Sequence, residues 1–483
     1  MRGVLYCDVN YNSYICIELE ITAVIITAVI FRIENFKKER SMKFYNREKE
    51  LQRLNSTREV AFNNHSQMTV LTGRRRIGKT SLILKSCEDT PTVYLFVNRS
   101  NETMLCNQFA KIASKELNTF IASDISTFAN LFETLMVIGQ NISYNLIIDE
   151  FQEFFYINET VYSQMQDIWD RYKDNTHVNL IASGSVYTLM HRIFMDYKEP
   201  LYGRCDSMMK LRPFETSVLK QILSDHKPNY TNEDLLALYT FTGGVPKYIE
   251  NFIDHGCMSV DEMINNMMLP DSMFQNEGKA LLIQEFGKKY GNYFAILSAI
   301  ANGDNTIPKL NDATGETTVT GHLKRLEEDY ELIAKKRPIF AKDGTQTVRF
   351  EISDLFLRFW FRYFTKYNDL IETGNLELMG KIIKDDYPTY SGLVLEKYFR
   401  QKMVESMEFR NIGSWWQTKK GKDPCEIDIV GIYANDKHAL VAEVKRQYKN
   451  FKPTEFSEKV ETIRTKVLSK YEIESRCFSM DDM

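Results

Sequence analysis

The segment GRRRIGKT, at residues 73–80, has the G-x-x-x-x-G-K-[ST] spacing of a phosphate-binding P-loop. It follows MTVLT at residues 68–72, a short apolar run typical of a buried strand. It precedes SLILK at residues 81–85, which opens like an amphipathic helix. A P-loop requires this strand–loop–helix context, and a glycine turn that matches the spacing by chance is the weaker interpretation. The segment therefore predicts a nucleotide-binding site.

The residue types in this segment match phosphate chemistry. Gly73 and Gly78 allow a tight turn that directs successive N–H groups at phosphates, at the start of a helix. Lys79 can place its ammonium group on the β- and γ-phosphates, and Thr80 can offer its hydroxyl to Mg²⁺. We therefore expect ATP and Mg²⁺ as cofactors. The expected binding set is Gly73, Arg74, Arg75, Arg76, Ile77, Gly78, Lys79, Thr80 and Ser81.

A second nucleotide element is the apolar run YNLIIDE at residues 144–150, which ends in two carboxylates. Asp149 is placed to hold Mg²⁺ as a Walker-B aspartate does. Glu150 is placed to orient or deprotonate the attacking water. The alternative is a helix start carrying acidic residues, which the helix dipole favours. Together with the P-loop, this strand end predicts hydrolysis as well as binding.

Two further positions are candidates for contact with the γ-phosphate. The strand-like run VNLIASGS at residues 178–185 leads into a small polar turn, where Ser183 is the first candidate and Ser185 the second. Arg204, in the segment YGR, is a candidate arginine finger that acts in cis or in trans. An exposed surface arginine is the alternative for Arg204.

Length and composition limit the classes of protein. A chain of 483 residues is too long for one hydrophobic core and predicts two to four domains. The apolar content of 43% and charged content of 26% are those of an ordinary globular protein. A net charge of −4 gives no overall attraction to nucleic acid, so such contact requires local patches. The 8 cysteines form no CxxC pair, and we expect reduced thiols in a cytoplasmic protein.

The first 41 residues differ from the rest of the chain. Residues 21–31 read ITAVIITAVIF, an apolar run shorter than the ~20 residues of a membrane-spanning helix. The run also lacks the features of a signal peptide. Three interpretations remain: a membrane-touching segment, an extra strand, or translated sequence upstream of a start at Met42. We favour the last, because MKFYNREKEL at residues 42–51 resembles the opening of a domain, and we expect no membrane partner.

The segments GRRRIGKT, NLIIDEFQEF, IASGS, LYGR and FTGGVPKYIE together resemble the archaeal-type ATPases, P-loop proteins related to the AAA+ and STAND groups. The resemblance extends from Met42 nearly to the carboxyl terminus. It implies an α/β fold, with a parallel P-loop sheet over residues 42–212 and a helical lid over residues 213–286. In that lid, GGVP at residues 243–246 would begin a helix that faces the nucleotide.

Residues 287–354 predict a winged helix, with a recognition-type helix at 317–330 and wing strands around 343–344. Its acidic residues nearly balance its basic ones, so we favour DNA contact but keep protein–protein contact as the alternative. The candidate phosphate contacts are Lys324, Arg325, Lys335, Lys336 and Arg337. The aromatic connector at residues 355–385 begins with LFLRFWFRYF. We favour a buried helix over a nucleic-acid stacking surface for this connector.

The last domain, residues 386–483, contains a second candidate site. Asp428 lies on one predicted strand and Glu443 and Lys445 on the next, where alternate residues share a face. The carboxylates can bind Mg²⁺ and activate water, the lysine can stabilise developing charge, and Glu396 adds a carboxylate from a helix. A salt bridge between neighbouring strands is the alternative interpretation.

This pattern resembles the PD-(D/E)xK core of the α/β restriction-endonuclease-like domains, which archaeal-type ATPases often carry. The departure is that Pro424 and Glu426 precede Asp428, where the strict motif places Pro and Asp together. We expect an ATP-hydrolysing switch coupled to a DNA-directed nuclease-like domain. The alternative is a nucleotide-dependent adaptor or DNA-binding regulator whose nuclease-like domain is inactive. A homo-oligomer or a protein partner is compatible with either function.

Overall fold

The structure is a computed structural model that describes residues 42–122, 124–287, 290–342, 348–419, 422–434 and 437–483. The amino-terminal extension, with its apolar run at residues 21–31, lies outside these ranges, as does the predicted wing turn at residues 343–344. Within these ranges, an ATPase sheet, a helical region and a second sheet follow one another along the chain.

The amino-terminal sheet has five parallel strands in the spatial order β2-β3-β4-β1-β5. The strands are β1 (Gln67–Thr72), β2 (Thr92–Phe96), β3 (Tyr144–Asp149), β4 (Val178–Gly184) and β5 (Ser207–Lys210). Every residue of β1, β3 and β4 is buried, as in a parallel sheet covered by helices on both faces. The predicted α/β class with a parallel sheet is confirmed.

Seven helices accompany this sheet in the described part of the chain. They are α1 (Glu48–Asn63), α2 (Lys79–Ser86), α3 (Glu102–Glu116), α4 (Phe128–Ile138), α5 (Phe154–Ile157), α6 (Val161–Tyr172) and α7 (Tyr187–Met195). The register pairs Leu71 with Ser183 and Thr72 with Gly184, so β1 and β4 end side by side. The loops that leave β1, β3 and β4 therefore meet at one edge of the sheet, where ligands of such folds bind.

A helical region follows the sheet. Its helices are α8 (Thr216–His226), α9 (Asn232–Thr242), α10 (Pro246–Asp254), α11 (Val260–Met267) and α12 (Met273–Phe286). Helix α9 lies at the centre, because each of its residues from Asp234 to Thr242 is buried. Helix α10 begins with Pro246, a residue suited to the first helical position because its missing N–H would be unsatisfied there.

Three helices and a two-stranded antiparallel sheet come next, in the element order of a winged helix. They are α13 (Tyr290–Ala301), α14 (Ile307–Thr314), α15 (Thr320–Glu328), β6 (Ile333–Lys336) and β7 (Arg349–Ile352). The aromatic connector then forms α16 (Leu355–Trp360) and one π-helical turn, Phe361–Thr365. Phe356, Phe359 and Phe361 are each 0% exposed, so the connector packs in the core rather than offering a stacking surface.

The carboxyl-terminal region contains a second sheet in the order β11-β10-β9-β8. Its elements are α17 (Asn368–Glu372), α18 (Leu376–Ser406), β8 (Phe409–Lys419), β9 (Lys422–Tyr433), β10 (His438–Val444), α19 (Pro453–Lys466) and β11 (Glu472–Phe478). Strand β9 is antiparallel to β8 and β10, whereas β11 is parallel to β10. One hydrophobic cluster joins α18 and this sheet to α9 and the aromatic connector, so the regions share a core.

Candidate functional site

The P-loop connects β1 to helix α2 at the carboxyl edge of the parallel sheet. Gly78, at the amino end of α2, has φ of 89°, a left-handed conformation that glycine adopts without a Cβ penalty. The Lys79 ammonium donates to the backbone oxygens of Gly73, at 2.8 Å, and Arg74, at 3.3 Å. Burial lowers the pKa of Lys79, and the nearby charges of Glu150 and Asp149 oppose that shift. Phosphate oxygens would give this ammonium stronger, charge-assisted acceptors.

The two residues expected to share Mg²⁺ are in direct contact. Thr80 Oγ1 donates to Asp149 Oδ2 at 3.0 Å, and Tyr94 Oη donates to the same oxygen at 2.6 Å. The Glu150 N–H donates to Asp149 Oδ1 at 3.0 Å. Within the described residues, these donors to Asp149 are two hydroxyls and one backbone N–H, all uncharged. The buried carboxyl group of Asp149 thus lies beside the hydroxyl of Thr80, and these oxygen ligands form a donor set that fits Mg²⁺.

Glu150 is tied to two other segments by its carboxylate. Its backbone has φ of 53°, in the left-handed region that is uncommon for a residue with a Cβ. Its Oε2 accepts hydrogen bonds from Gln152 Nε2, at 2.6 Å, and from Ser185 Oγ, at 2.7 Å. Gln284 Nε2, on helix α12, donates in turn to Ser185 Oγ at 2.9 Å. Sequence reasoning missed Gln152 and Gln284, since neither lies at a spacing that marks a catalytic motif.

The structure reverses the order of the two serine candidates. Ser183 lies inside β4, and among the described residues its buried hydroxyl has no hydrogen-bond partner. Ser185 follows the end of the strand and contacts Glu150. The physical reason is the length of β4, which extends to Gly184 and so keeps Ser183 within the sheet.

Arg204 does not lie at the nucleotide edge of the sheet, and its predicted role as a finger in cis is wrong in this arrangement. Its Nη2 pairs with Asp170 Oδ2 at 3.1 Å. Arg204 precedes β5, and the nearby Asp206 N donates to Met68 O at 2.8 Å, at the amino end of β1. The P-loop leaves β1 at its carboxyl end. At 3.3 Å per residue, the two ends of this strand lie about 13 Å apart. A role for Arg204 in trans stays a prediction.

Two of the three P-loop arginines pair with neighbouring elements, the connector and helix α12. Arg74 forms an ion pair with Asp354, which caps helix α16. Arg76 Nη2 pairs with Glu277 Oε2 of helix α12 at 2.9 Å. Arg75 is exposed. The side chains of this part of the predicted binding set thus connect the loop to neighbouring elements, whereas the loop backbone remains available to phosphate.

A buried carboxyl group that sequence reasoning missed also faces this site. Glu285 follows Gln284 on helix α12, and within the described residues its buried Oε2 has no hydrogen-bond partner. Burial raises the pKa of Glu285 to about 8, and the charge of Glu150 adds to the effect, while Lys79 and Arg74 oppose it. This carboxyl is therefore mostly neutral at pH 7 and negative above pH 8.

The carboxyl-terminal candidates also lie close together. Val444 N donates to Asp428 Oδ2 at 2.8 Å, across the antiparallel pair of β9 and β10. Glu443 Oε1 accepts from Lys445 Nζ, at 3.0 Å, and from Lys459 Nζ of helix α19, also at 3.0 Å. Lys459 was not predicted, because no motif spacing links it to β10. Asp428, Glu443 and Lys445 are adjacent, as the sequence pattern predicted.

Burial and mutual repulsion shift the acidity of this cluster. Burial raises the pKa of Glu396 to about 7, and the neighbouring charge of Asp428 contributes to the shift. Burial also raises the pKa of Asp428. Burial acts in the same direction on Glu443, but hydrogen bonds from Lys445 and Lys459 outweigh it and hold its pKa below the usual value. The cluster thus combines a carboxyl that can carry a proton near neutral pH with an ionised carboxylate.

The carboxyl-terminal cluster offers few metal ligands among the described residues. Within the residues that the structure describes, no three His, Cys, Asp or Glu side chains are grouped closely enough to hold a metal ion. Asp428 and Glu443 supply two carboxylates, and Glu443 Oε1 already accepts from both lysines, whose positive charges would oppose a bound cation. Glu426, the residue that departs from the strict motif, pairs with Arg349 Nη1 of β7 at 2.6 Å. The predicted metal role of Asp428 and Glu443 stays a prediction.

Among the helices in the described part of the chain, none is both long and apolar enough to span a membrane.

Comparisons with known families match two parts of the chain. Residues 44–252 match a family described as an ATPase domain predominantly from Archaea. Residues 360–459 match a family described as archaeal and bacterial proteins of unknown function. The predicted archaeal-type ATPase domain is thereby confirmed, and the nuclease-like assignment of the carboxyl-terminal domain stays a prediction.

The chain is similar over most of its length to an uncharacterized protein of Methanocaldococcus jannaschii. The two are 32% identical over 417 residues, which cover 83% of this chain and 87% of the relative. Among solved structures, a Walker-type ATPase of Pyrococcus abyssi has a TM-score of 0.50 at 17% identity, covering 66% of this chain and 96% of that one. The ORC2 protein of Aeropyrum pernix, solved as ADPNP–ADP complexes, has a TM-score of 0.49 at 14% identity, covering 69% and 96%.

Glu285 predicts a pH dependence of nucleotide affinity. Its carboxyl is neutral below a pKa of about 8 and negative above it, where it would repel the phosphates of ATP. We expect the ATP affinity of the wild type to fall several-fold more between pH 7 and pH 9 than that of Glu285→Gln. Titration calorimetry across this range measures the difference. Glu116→Gln, at an exposed position on α3, is the matched control, and equal pH profiles for all three proteins would contradict the prediction.

Proposed function

This chain belongs to the same family as the M. jannaschii protein and carries an archaeal-type ATPase domain, and on that premise we propose an ATP-driven switch whose nucleotide state controls a restriction-endonuclease-like domain acting on DNA. The proposal rests above all on the hydrogen bonds and ion pairs that connect the lid helices α8 and α9 to the carboxyl-terminal domain.

The ATP site supports hydrolysis by residues in separate roles. The P-loop backbone and Lys79 would bind the β- and γ-phosphates. Thr80 and Asp149 would hold Mg²⁺, which would supply positive charge beside the phosphates. The hydrogen bonds from Gln152 and Ser185 both go to Glu150 Oε2, so Oε1 is the oxygen that can accept from the attacking water. Glu150 would orient that water and take its proton.

Helix α8 begins on a carboxylate of the carboxyl-terminal domain. The two oxygens of Glu405, on helix α18, accept from Thr216 N at 3.0 and 3.2 Å, and one also accepts from Thr216 Oγ1 at 2.5 Å. A negative charge at the amino end of a helix is stabilised by the exposed N–H groups and by the helix dipole. A shift of α8 would therefore pull on α18, which also carries Glu396.

Helix α9 reaches the second cluster through Arg446, which follows Lys445 in the chain. Arg446 Nη2 pairs with Glu233 Oε2 of α9 at 2.5 Å, and Nη1 donates to Ser391 of α18. Asn232 Nδ2 donates to Met480 O at 2.7 Å, next to the carboxyl terminus. If nucleotide favours one position of the lid, these contacts would carry that preference to Lys445 as a population shift.

Several charges of the carboxyl-terminal cluster support the proposal that it hydrolyses phosphodiesters. Glu396 can carry a proton near neutral pH, and Asp428 lies in the same charged cluster. Lys445 and Lys459 place two ammonium groups beside Glu443, where they could stabilise negative charge on a phosphate in the transition state. The cluster is carried by elements that follow one another in the order α18-β8-β9-β10-α19-β11, and β11 is parallel to β10.

A specific observation favours the second candidate, a nucleotide-dependent adaptor without cleavage. Lys445 and Lys459 form ion pairs with the carboxylate of Glu443, and their positive charges would oppose the metal ion that metal-assisted cleavage requires there. The basic residues of the winged helix are also partly neutralised, since Lys336 pairs with Glu351 at 3.0 Å and Lys324 with Glu328 at 3.7 Å. Arg349 on β7 engages Glu426 of the second sheet. The winged helix would then serve mainly as a protein–protein module.

The ATPase part is tested by two substitutions that separate binding from hydrolysis. Lys79→Ala should abolish ATP binding, because it removes the buried ammonium from the P-loop. Glu150→Gln should bind ATP normally, but its kcat should fall by about 10²–10⁴-fold, the usual effect of losing a general base. Calorimetry and a phosphate-release assay measure the two quantities. Wild-type turnover in both variants would contradict the assigned roles.

The nuclease part is tested by plasmid nicking with ATP and either Mg²⁺ or Mn²⁺. If the domain cleaves, Asp428→Ala and Lys445→Ala should each lower nicking at least about 100-fold, because each removes a group that acts on the phosphate. Lys470→Ala, a lysine outside the cluster on the same domain, is the matched control. Nicking that survives both active-cluster substitutions would indicate a contaminant, and an absence of nicking by the wild type would favour the adaptor.

A further inference from the structure

Helix α12 lies along the ATP site and contacts it at two points. Near its middle, Glu277 Oε2 pairs with Arg76 of the P-loop at 2.9 Å. Near its end, Gln284 Nε2 donates to Ser185 Oγ at 2.9 Å. These positions are seven residues apart, two helical turns, so they lie on one face and about 10 Å apart along the axis. One face of the helix thus contacts both the phosphate loop and the catalytic edge of the sheet.

The hydrogen bond from Gln284 sets the direction in which the Ser185 hydroxyl donates its proton. Ser185 Oγ has one proton to donate and two lone pairs to accept. Because Gln284 Nε2 occupies a lone pair, the Ser185 proton is directed to Glu150 Oε2, 2.7 Å away. The two bonds form a chain from the lid helix to the carboxylate that is assigned to the attacking water. Without Gln284, the Ser185 hydroxyl would be free to turn to another acceptor.

Glu150 depends on such side-chain contacts for its orientation. Glu150 follows the end of β3 and has a left-handed backbone, with φ of 53°, so neither a helix nor a strand fixes the direction of its side chain. The amide of Gln152 donates to Glu150 Oε2 from the short turn that follows Glu150, whereas Ser185 donates to the same oxygen from the turn after β4. Losing the hydroxyl bond would leave this oxygen with the Gln152 bond and a longer contact from the Ser185 backbone N–H, at 3.4 Å.

We propose that Gln284 is a positioning residue for ATP hydrolysis, which holds Glu150 in its working orientation through Ser185. Catalysis then depends on the docking of helix α12, the last helix of the lid region. Gln284 has no role in binding the nucleotide itself in this scheme. The inference rests on the proposed role of Glu150 in hydrolysis.

The experiment compares steady-state ATP hydrolysis by the full chain and by Gln284→Met, which keeps the side-chain length but removes the amide donor. We expect kcat to fall about tenfold, the equivalent of one lost orienting hydrogen bond, with KM changed by less than about twofold. Ile283→Ala, at the exposed neighbouring position on the same helix, is the matched control and should keep the wild-type kcat. A rise in KM with kcat unchanged would overturn the inference.

A double-mutant cycle separates positioning from a general loss of structure. Because Gln284 acts only through Ser185, Gln284→Met should have no further effect on kcat in a Ser185→Ala background. Independent, multiplicative losses in the double variant would overturn the inference. Glu150→Gln separates a failure of the role of Gln284 from a failure of the role of Glu150. If Glu150→Gln is inactive and Gln284→Met is fully active, the role of Gln284 fails alone; if Glu150→Gln keeps wild-type turnover, the role of Glu150 fails with it.

Discussion

The contact between Thr80 and Asp149 is the interaction on which the rest of the structure depends. It brings the end of the P-loop to the end of β3, at 3.0 Å, and it exists because parallel strands end at one edge of the sheet. The main groups of the ATP site lie at that edge. They are the backbone of the loop, the carboxyl group of Asp149 with its uncharged donors, and Glu150 as the next residue. The buried, β-branched strands supply the rigidity that holds these groups in place.

The helical region α8–α12 connects this edge to the rest of the chain in two directions. Helix α12 faces the site and contacts Ser185 and the P-loop. Helices α8 and α9 face away and contact Glu405 and Arg446 of the carboxyl-terminal domain. Since both sets of contacts belong to one helical region that shares a core with the aromatic connector, a change at the nucleotide has a continuous packed route to the second cluster.

Local spacing allowed much of this architecture to be predicted from the sequence. The P-loop, the paired carboxylates at 149–150 and the grouping of Asp428, Glu443 and Lys445 are each encoded within a few residues of a strand. The aromatic connector was also correctly interpreted as buried, because a dense apolar run rarely remains exposed. Gln284 and Glu285 could not be predicted, since they reach the ATP site from a helix 99 residues beyond Ser185. Lys459 lies only 16 residues after Glu443, but no motif spacing marks it. Whether Ser183 or Ser185 contacts the site depends on where β4 ends, and apolar sequence patterns locate the ends of strands poorly.

If nucleotide bound at the P-loop alters the carboxyl-terminal cluster, hydrogen–deuterium exchange of the full chain, with and without ATP, should detect the change. We expect altered exchange at residues 216–226 and 442–446 in the wild type, and no such change in Lys79→Ala. Exchange that changes with ATP only within residues 42–212, and stays constant in the carboxyl-terminal sheet, would contradict this expectation.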